Sequence, residues 1–114
     1  MKIFKFLLVC LLLFLGVIQG YAQENTTKNQ TQLIIYGSET CDVCIKTKQF
    51  LHEHNIPFVF YDIDTNFEKL KEMLFKLRQN NISTHNLHLP AVDKNGTVFT
   101  NEENFEQFLK KLIL

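Results

Sequence analysis

The chain has 114 residues and contains 12 acidic and 12 basic residues, which gives no net charge when histidine is neutral. This length supports one compact domain and is too short for two. No block of basic residues resembles a nucleic-acid footprint, so the composition argues against DNA or RNA as a partner.

The first 22 residues have the three parts of a secretory signal peptide: a basic start, an apolar middle over residues 6–15, and small residues before a cleavage site expected after Ala22. The sequence therefore predicts an exported protein, either secreted or periplasmic. The alternative is an uncleaved leader, which would be the protein's only contact with a membrane. It is less favoured because the apolar stretch is shorter than the ~20 residues that a spanning helix needs.

Cleavage would remove Cys10 and leave Cys41 and Cys44, separated by two residues. The pair follows the apolar run 33–36 and precedes a helical pattern. A helix N-terminus favours the thiolate, the reactive form of cysteine, and a second thiol one turn later can close a disulfide. A bridge across so short a loop constrains the unfolded chain little, so redox chemistry is favoured over a structural crosslink.

Residues 23–31 are polar and aperiodic, which predicts a flexible lead-in to a folded domain over residues 32–114. The apolar run 33–36 predicts a central strand, and helical spacing of apolar residues predicts a helix over residues 41–55. Residues 58–63 are aromatic and β-branched and predict a second strand, parallel to the first because a helix joins them.

The second half of the chain predicts a helix, a hairpin and a closing helix. Thr65 and Glu68 have the spacing of a capping box before a helix that ends near Gln79. Two short strands flank a turn over residues 93–96, and Asn101 is a plausible N-cap for the last helix. The apolar stripe of the second predicted helix comprises Phe67, Leu70, Met73, Leu74 and Leu77, and that of the last comprises Phe105, Phe108, Leu109 and Leu112.

The order β-α-β-α-β-β-α, with Cys-x-x-Cys after the first strand and a proline opening the third, resembles the thioredoxin fold. Within that fold the chain is most similar to glutaredoxins. Residues 36–44 resemble the family's strand-end tyrosine and redox cysteine pair, and residues 89–92 resemble its cis-proline segment. The resemblance implies an α/β domain with a four-stranded mixed sheet flanked by three helices.

The resemblance also implies the roles of individual residues. Cys41 would attack a substrate disulfide, Cys44 would resolve the mixed disulfide, and Pro90 would be cis and face the sulfurs. The substrate would be bound by Tyr36, Thr40, Leu89 and Pro90. We expect a monomeric thiol–disulfide oxidoreductase that needs no cofactor or metal and acts on protein or peptide dithiols and disulfides.

Several positions depart from the family pattern. Ser38 stands where glutaredoxins usually carry a lysine, and residues 100–103 include two glutamates and lack the family's paired glycines. Both changes weaken attraction for glutathione, which is a less favoured partner than a protein or peptide. Asp42 replaces the usual proline beside Cys41, and its negative charge opposes thiolate formation. The sequence therefore predicts a more reducing couple than that of a proline-containing glutaredoxin.

Two other functions remain open from the residues alone. The cysteine pair could hold a soft metal such as copper or zinc outside the cytoplasm, with His85 or His88 as further ligands. The domain could also be a redox-inert adaptor, in which case replacement of both cysteines would change nothing measurable.

Overall fold

The computed structural model describes residues 32–102 and 104–114. Its elements, in chain order, are β1 (Leu33–Gly37), α1 (Asp42–Glu53), β2 (Val59–Asp62), α2 (Phe67–Gln79), β3 (Ala91–Lys94), β4 (Thr97–Thr100) and α3 (Phe105–Ile113). This order confirms the predicted β-α-β-α-β-β-α arrangement. The expected signal peptide and polar lead-in, residues 1–31, lie outside the described residues.

The strands form one sheet in the order β2-β1-β3-β4. The central strand β1 pairs in parallel with β2 and antiparallel with β3, and β3 pairs antiparallel with β4. The sheet is therefore mixed, as predicted for a thioredoxin fold. No helix within the described residues is long and apolar enough to cross a membrane.

The strand register brings four chain segments together at one edge of the sheet. Gly37 at the end of β1 lies beside Asp62 at the end of β2. On the other side, Tyr36 lies opposite Ala91 at the start of β3, which in turn lies opposite Thr100 at the end of β4. We call this the C-terminal edge because three of the four strands end there. Four residues separate β1 from α1, and Cys41 is the last of them, so Cys41 lies at this edge.

Side chains along the strands alternate between two apolar clusters, as the period of a β-strand requires. The first cluster joins one face of the sheet to α1 and α3, and its buried members are Leu33, Ile35, Leu51, Val92, Phe108 and Leu112. The second joins the other face to α2, and its buried members are Tyr36, Met73, Leu77 and Ala91. Burial of β1 on both faces confirms its predicted central position.

Both predicted helix caps are wrong by one to three residues. Helix α2 is capped by Asn66, whose side chain accepts a hydrogen bond from the Lys69 N–H at 3.2 Å, whereas Thr65 hydrogen-bonds the Asp62 carbonyl at 3.5 Å. Helix α3 is capped by Asn104 and not by Asn101. Asn, Ser, Thr and Asp cap almost equally well, so the path of the chain from the sheet decides which one is used.

Two further features differ from the expectation: the burial of Phe67 and the length of the hairpin turn. Phe67, the first residue of the predicted stripe on α2, is 64% exposed, whereas the next residue of the stripe, Leu70, packs against the second cluster. The hairpin turn is also shorter than predicted, since Asp93 and Lys94 belong to β3. Asn95 and Gly96 alone make the turn with φ values of 50° and 90°, as a two-residue hairpin requires.

Candidate active site

Cys41 is the N-cap residue of α1 and is partly exposed. Its sulfur accepts a hydrogen bond from the Cys44 backbone N–H at 3.3 Å, and its own N–H donates to the Ser38 carbonyl at 3.2 Å. Cys41 therefore has the helix N-terminus directed at its sulfur, as the sequence predicted. Such a position stabilises negative charge on sulfur.

Cys44 is fully buried one helical turn further on. A Cβ atom placed on Gly37 would lie 2.8 Å from the Cys44 sulfur, so only glycine leaves room for the thiol at the end of β1. Burial raises the pKa of Cys44 to about 12, and its hydrogen bond with Cys41 acts in the same direction. The two thiols thus differ in access: Cys41 is partly exposed, whereas Cys44 is buried behind it and its raised pKa favours the protonated form.

The loop that leads from β1 to Cys41 is held by side-chain hydrogen bonds. The buried Ser38 hydroxyl donates to the Asp64 carboxylate and accepts the Thr40 N–H at 3.2 Å. The Ser38 and Thr40 hydroxyl oxygens are 2.9 Å apart. Thr40, a predicted substrate contact, thus helps to order the loop, and its contact with substrate stays a prediction.

The Leu89–Pro90 peptide bond is cis, which confirms the predicted conformation. Pro90 is buried and Leu89 is partly buried. Because Ala91 is paired with Tyr36, this segment lies beside the end of β1, next to the loop that carries Cys41. The fold thus brings Leu89 and Pro90 to the same edge as the cysteine pair, and their role in substrate binding stays a prediction.

Tyr36 lies on the face of the sheet that α2 covers, and only 1% of it is exposed. Its hydroxyl donates to Glu72 at 2.6 Å and accepts from Lys76 at 2.7 Å, and Lys76 also pairs with Asp93 at 2.7 Å. We call Tyr36, Glu72, Lys76 and Asp93 the Tyr36 network. It places Tyr36 in the core behind the strand end, so a direct contact with substrate stays a prediction.

The Tyr36 network shifts the ionisation of its members. Burial, followed by the hydrogen bond with Glu72, raises the pKa of Tyr36 to about 12. The hydrogen bond from Tyr36 lowers the pKa of Glu72. Burial opposes charge on Lys76, but hydrogen bonds with Asp93 and Tyr36 outweigh it and raise the pKa of that ammonium group. The network was not predicted from the sequence, although Glu72 and Lys76 have the i, i+4 spacing of a helical ion pair.

Lys48 also lies near the cysteine pair but was not predicted from the sequence as a site residue. It lies on α1 one turn after Cys44, and its ammonium group is 2.8 Å from each carboxylate oxygen of Glu39. The same group is 4.1 Å from the centroid of the Phe60 ring. The four-residue spacing from Cys44 is a sequence signal that could have identified it.

The described part of the chain contains no cluster of ligands for the alternative metal site. Over residues 32–102 and 104–114, no group of three or more His, Cys, Asp or Glu side chains is placed to hold a metal ion. His85 and His88 are both exposed.

A sequence profile of the glutaredoxin family matches residues 33–98, from the first residue of β1 into β4. A search of curated proteins found no significant match. Among solved structures, a glutaredoxin from Archaeoglobus fulgidus is 25% identical with a TM-score of 0.54, and the match covers 81% of this chain and 97% of that one.

Two more distant structures share the fold. The thioredoxin-like protein BC3987 is 21% identical with a TM-score of 0.53, and the match covers 70% of this chain and 97% of that one. The glutaredoxin-like NrdH-redoxin from Escherichia coli is 18% identical with a TM-score of 0.50, and the match covers 71% of this chain and 93% of that one. Glutaredoxin-like proteins act on protein disulfides or on glutathione. The family match spans more than half of this sequence and includes its Cys-x-x-Cys pair, so the chain belongs to the glutaredoxin family of thiol–disulfide oxidoreductases.

Proposed function

We propose that the protein is an exported thiol–disulfide oxidoreductase that exchanges disulfides of proteins or peptides through Cys41 and Cys44. The observation that carries the proposal is the asymmetry of the pair. Cys41 is partly exposed, with its sulfur 3.3 Å from a backbone N–H at the helix start, and Cys44 is fully buried one turn behind it. This arrangement suits one thiol for attack and the other for resolution.

The reaction proceeds in two exchanges. In the first, the Cys41 thiolate attacks a substrate disulfide, the substrate S–S bond breaks, and one substrate sulfur leaves as a thiolate that takes up a proton. In the second, Cys44 loses its proton and attacks the Cys41 sulfur. The mixed disulfide then breaks, the Cys41–Cys44 disulfide forms, and the second substrate sulfur leaves. Two electrons pass from the cysteine pair to the substrate, and the reverse sequence oxidises a dithiol.

The charges at the C-terminal edge favour a protein or peptide over glutathione. Asp42, Asp64 and Glu102 are exposed there, whereas the negative charge of Glu39 is paired with Lys48. Glutathione carries two carboxylates and one ammonium group, so this edge repels it. The Ser38 hydroxyl is occupied by hydrogen bonds within the loop and supplies no positive charge to a carboxylate.

The proposal of export depends on the sequence pattern of residues 1–22. It is tested by expression of the full chain, separation of cellular fractions, and determination of the N-terminal residue of the accumulated protein. Cleavage after Ala22 would leave Gln23 as the first residue. Full-length protein in the cytoplasm would contradict export. It would not contradict the redox activity, which the cysteine variants test.

The roles of the two cysteines are tested with a disulfide-bonded peptide substrate. Cys41→Ser should abolish reduction of the peptide, because the remaining thiol is buried. Cys44→Ser should still attack and should accumulate a mixed disulfide, visible as a mass increase equal to one substrate half. A Cys41→Ser variant with wild-type turnover would refute the proposal, as would a Cys44→Ser variant that never forms the adduct.

The substrate preference is tested by charge substitution at the C-terminal edge. Asp42→Asn and Glu102→Gln should each speed the reaction with glutathione disulfide by about two- to threefold at low salt, with little change for an uncharged peptide disulfide. Glu53→Gln is the matched control, because Glu53 is exposed at the opposite end of α1. Equal gains with both substrates would show that the edge does not discriminate by charge.

A further inference from the structure

Lys48 is held in one place by two different contacts. Its ammonium group is 2.8 Å from both carboxylate oxygens of Glu39 and 4.1 Å from the Phe60 ring centroid. Only 22% of its side chain is exposed, although a lysine on a helix surface is usually free to extend into water. The position of this positive charge is therefore fixed by the fold.

The ring under Lys48 also borders the buried cysteine. A Cβ atom placed on Gly37 would lie 2.8 Å from the Cys44 sulfur and 3.0 Å from Cε2 of Phe60. Cys44, Gly37 and the Phe60 ring thus form one packed group, with the Lys48 ammonium over the ring. Lys48 also lies one turn after Cys44 on the same face of α1.

The second exchange requires a buried thiol of this group to lose its proton. Cys44 must become a thiolate in a site where its sulfur has no access to solvent. Burial raises the pKa of Cys44 to about 12, and the charge of Lys48 acts against that increase. A fixed cation can stabilise the thiolate that water would otherwise solvate.

We propose that Lys48 is a positioning residue for the second exchange. Its positive charge stabilises the negative charge that forms on Cys44 when Cys44 attacks the mixed disulfide. The Phe60 ring keeps the ammonium group next to the buried cysteine, and the paired carboxylate of Glu39 offsets part of its charge. The inference rests on the roles proposed above for Cys41 and Cys44. It predicts that Lys48 affects resolution of the mixed disulfide and leaves the initial attack by Cys41 almost unchanged.

The test uses an uncharged dipyridyl disulfide, which releases one coloured thione at each exchange. In stopped-flow measurements the first release reports the attack by Cys41, and the second reports resolution by Cys44. Lys48→Gln should leave the first rate within about twofold of wild type and slow the second on the order of 10-fold at low salt. Lys48→Arg should restore most of the second rate, because it keeps the charge.

Two further variants separate the charge of Lys48 from a structural role of its ion pair. Glu39→Gln breaks the ion pair but leaves the cation over Phe60, so the second rate should equal or exceed that of wild type. Lys46→Gln is the matched control for loss of one positive charge, since Lys46 is exposed on the same helix. It should leave both rates unchanged.

The proposal is overturned if Lys48→Gln resolves the mixed disulfide at the wild-type rate, or if Glu39→Gln slows resolution as much as Lys48→Gln does. The second result would show that the ion pair matters for structure and not for charge. Failure of the wild-type protein to release the first thione would instead contradict the proposed function of Cys41. The two failures are therefore distinguishable in one experiment.

Discussion

The face of the sheet covered by α1 and α3 is apolar, whereas the face covered by α2 carries a connected set of hydroxyl and charged groups. Neighbouring residues of one strand belong to the two sides: Ile35 packs among aliphatic and aromatic side chains, and Tyr36 hydrogen-bonds Glu72 and Lys76. Cys44 belongs to the apolar side, where it contacts Gly37. The difference shows that this small domain keeps its buried thiol on the face opposite the Tyr36 network.

The largest effect on the two faces is expected at alkaline pH, because the buried Cys44 on one face and the buried Tyr36 on the other can each lose a proton. Burial raises the pKa of Cys44 from 9.0 to about 12 and that of Tyr36 from 10.0 to about 12. Because both folded-state values are raised, the stabilisation from each group is complete below its unfolded pKa and is lost as pH rises toward 12. The free energy of unfolding of the reduced protein should therefore fall steeply above pH 9.

The same titration can separate the contributions of the two faces to this loss of stability. Oxidation of Cys41 and Cys44 to a disulfide should remove the part due to Cys44 and leave the part due to the Tyr36 network, in which Lys76 also has a raised pKa. The measurement is urea unfolding at a series of pH values in both redox states. Identical pH profiles for the reduced and oxidised proteins would show that the buried thiol contributes no pH-dependent stability.

Leu51→Ala should destabilise the apolar face by about 2–5 kcal/mol, because Leu51 is fully buried and its truncation leaves a cavity between α1 and the sheet. Chemical denaturation of the reduced protein measures the change. Leu114→Ala is a suitable control, since Leu114 is 92% exposed and its loss should change stability by less than about 0.5 kcal/mol. Equal effects at the two positions would contradict the proposed location of the core.

Gly37→Ala should destabilise the reduced protein by about 1–3 kcal/mol, because the added methyl group would lie 2.8 Å from the Cys44 sulfur. The same substitution in a Cys44→Ala background should cost less, because the sulfur is gone. The double-mutant cycle thus measures how closely Gly37 and Cys44 are packed. Additive costs would mean that Gly37 is needed for a reason other than the thiol.

Tyr36→Phe should have the smallest effect, a loss of about 1 kcal/mol, because Lys76 keeps Asp93 and Glu72 keeps Lys69 as partners. The variant should also reduce the part of the alkaline destabilisation that oxidation of the cysteines leaves in place, since only the contribution of Lys76 would remain. That second readout separates the hydroxyl group from the packing of the ring. An unchanged pH profile would mean that Tyr36 does not ionise with unfolding.

Local patterns were sufficient to predict the elements and the position of Cys41, and the resemblance of their order to the thioredoxin fold implied the four-stranded mixed sheet. The strands and helices follow from the spacing of apolar residues, and Cys41 is placed by the change from strand to helical period. The caps were harder, since Thr65, Asn66, Asn101 and Asn104 are all acceptable capping residues. Only the three-dimensional path of the chain decides among them.

The contacts that shape the site were not predictable because they join residues far apart in sequence. Tyr36 meets Glu72 and Lys76 across 36 and 40 positions, and Ser38 meets Asp64 across 26. No local pattern encodes such pairs in a single sequence. The nearest signals were short-range spacings on one helix face, from Cys44 to Lys48 and from Glu72 to Lys76.

The complete burial of Cys44 has a consequence for chemical labelling. A thiol-directed alkylating reagent can reach the sulfur of Cys41 but not that of Cys44 while the domain is folded. Brief treatment should therefore add one label per domain, and that label would block disulfide closure permanently. Among the described residues, Cys41 is thus the one accessible thiol, and a single covalent event there should inactivate the enzyme.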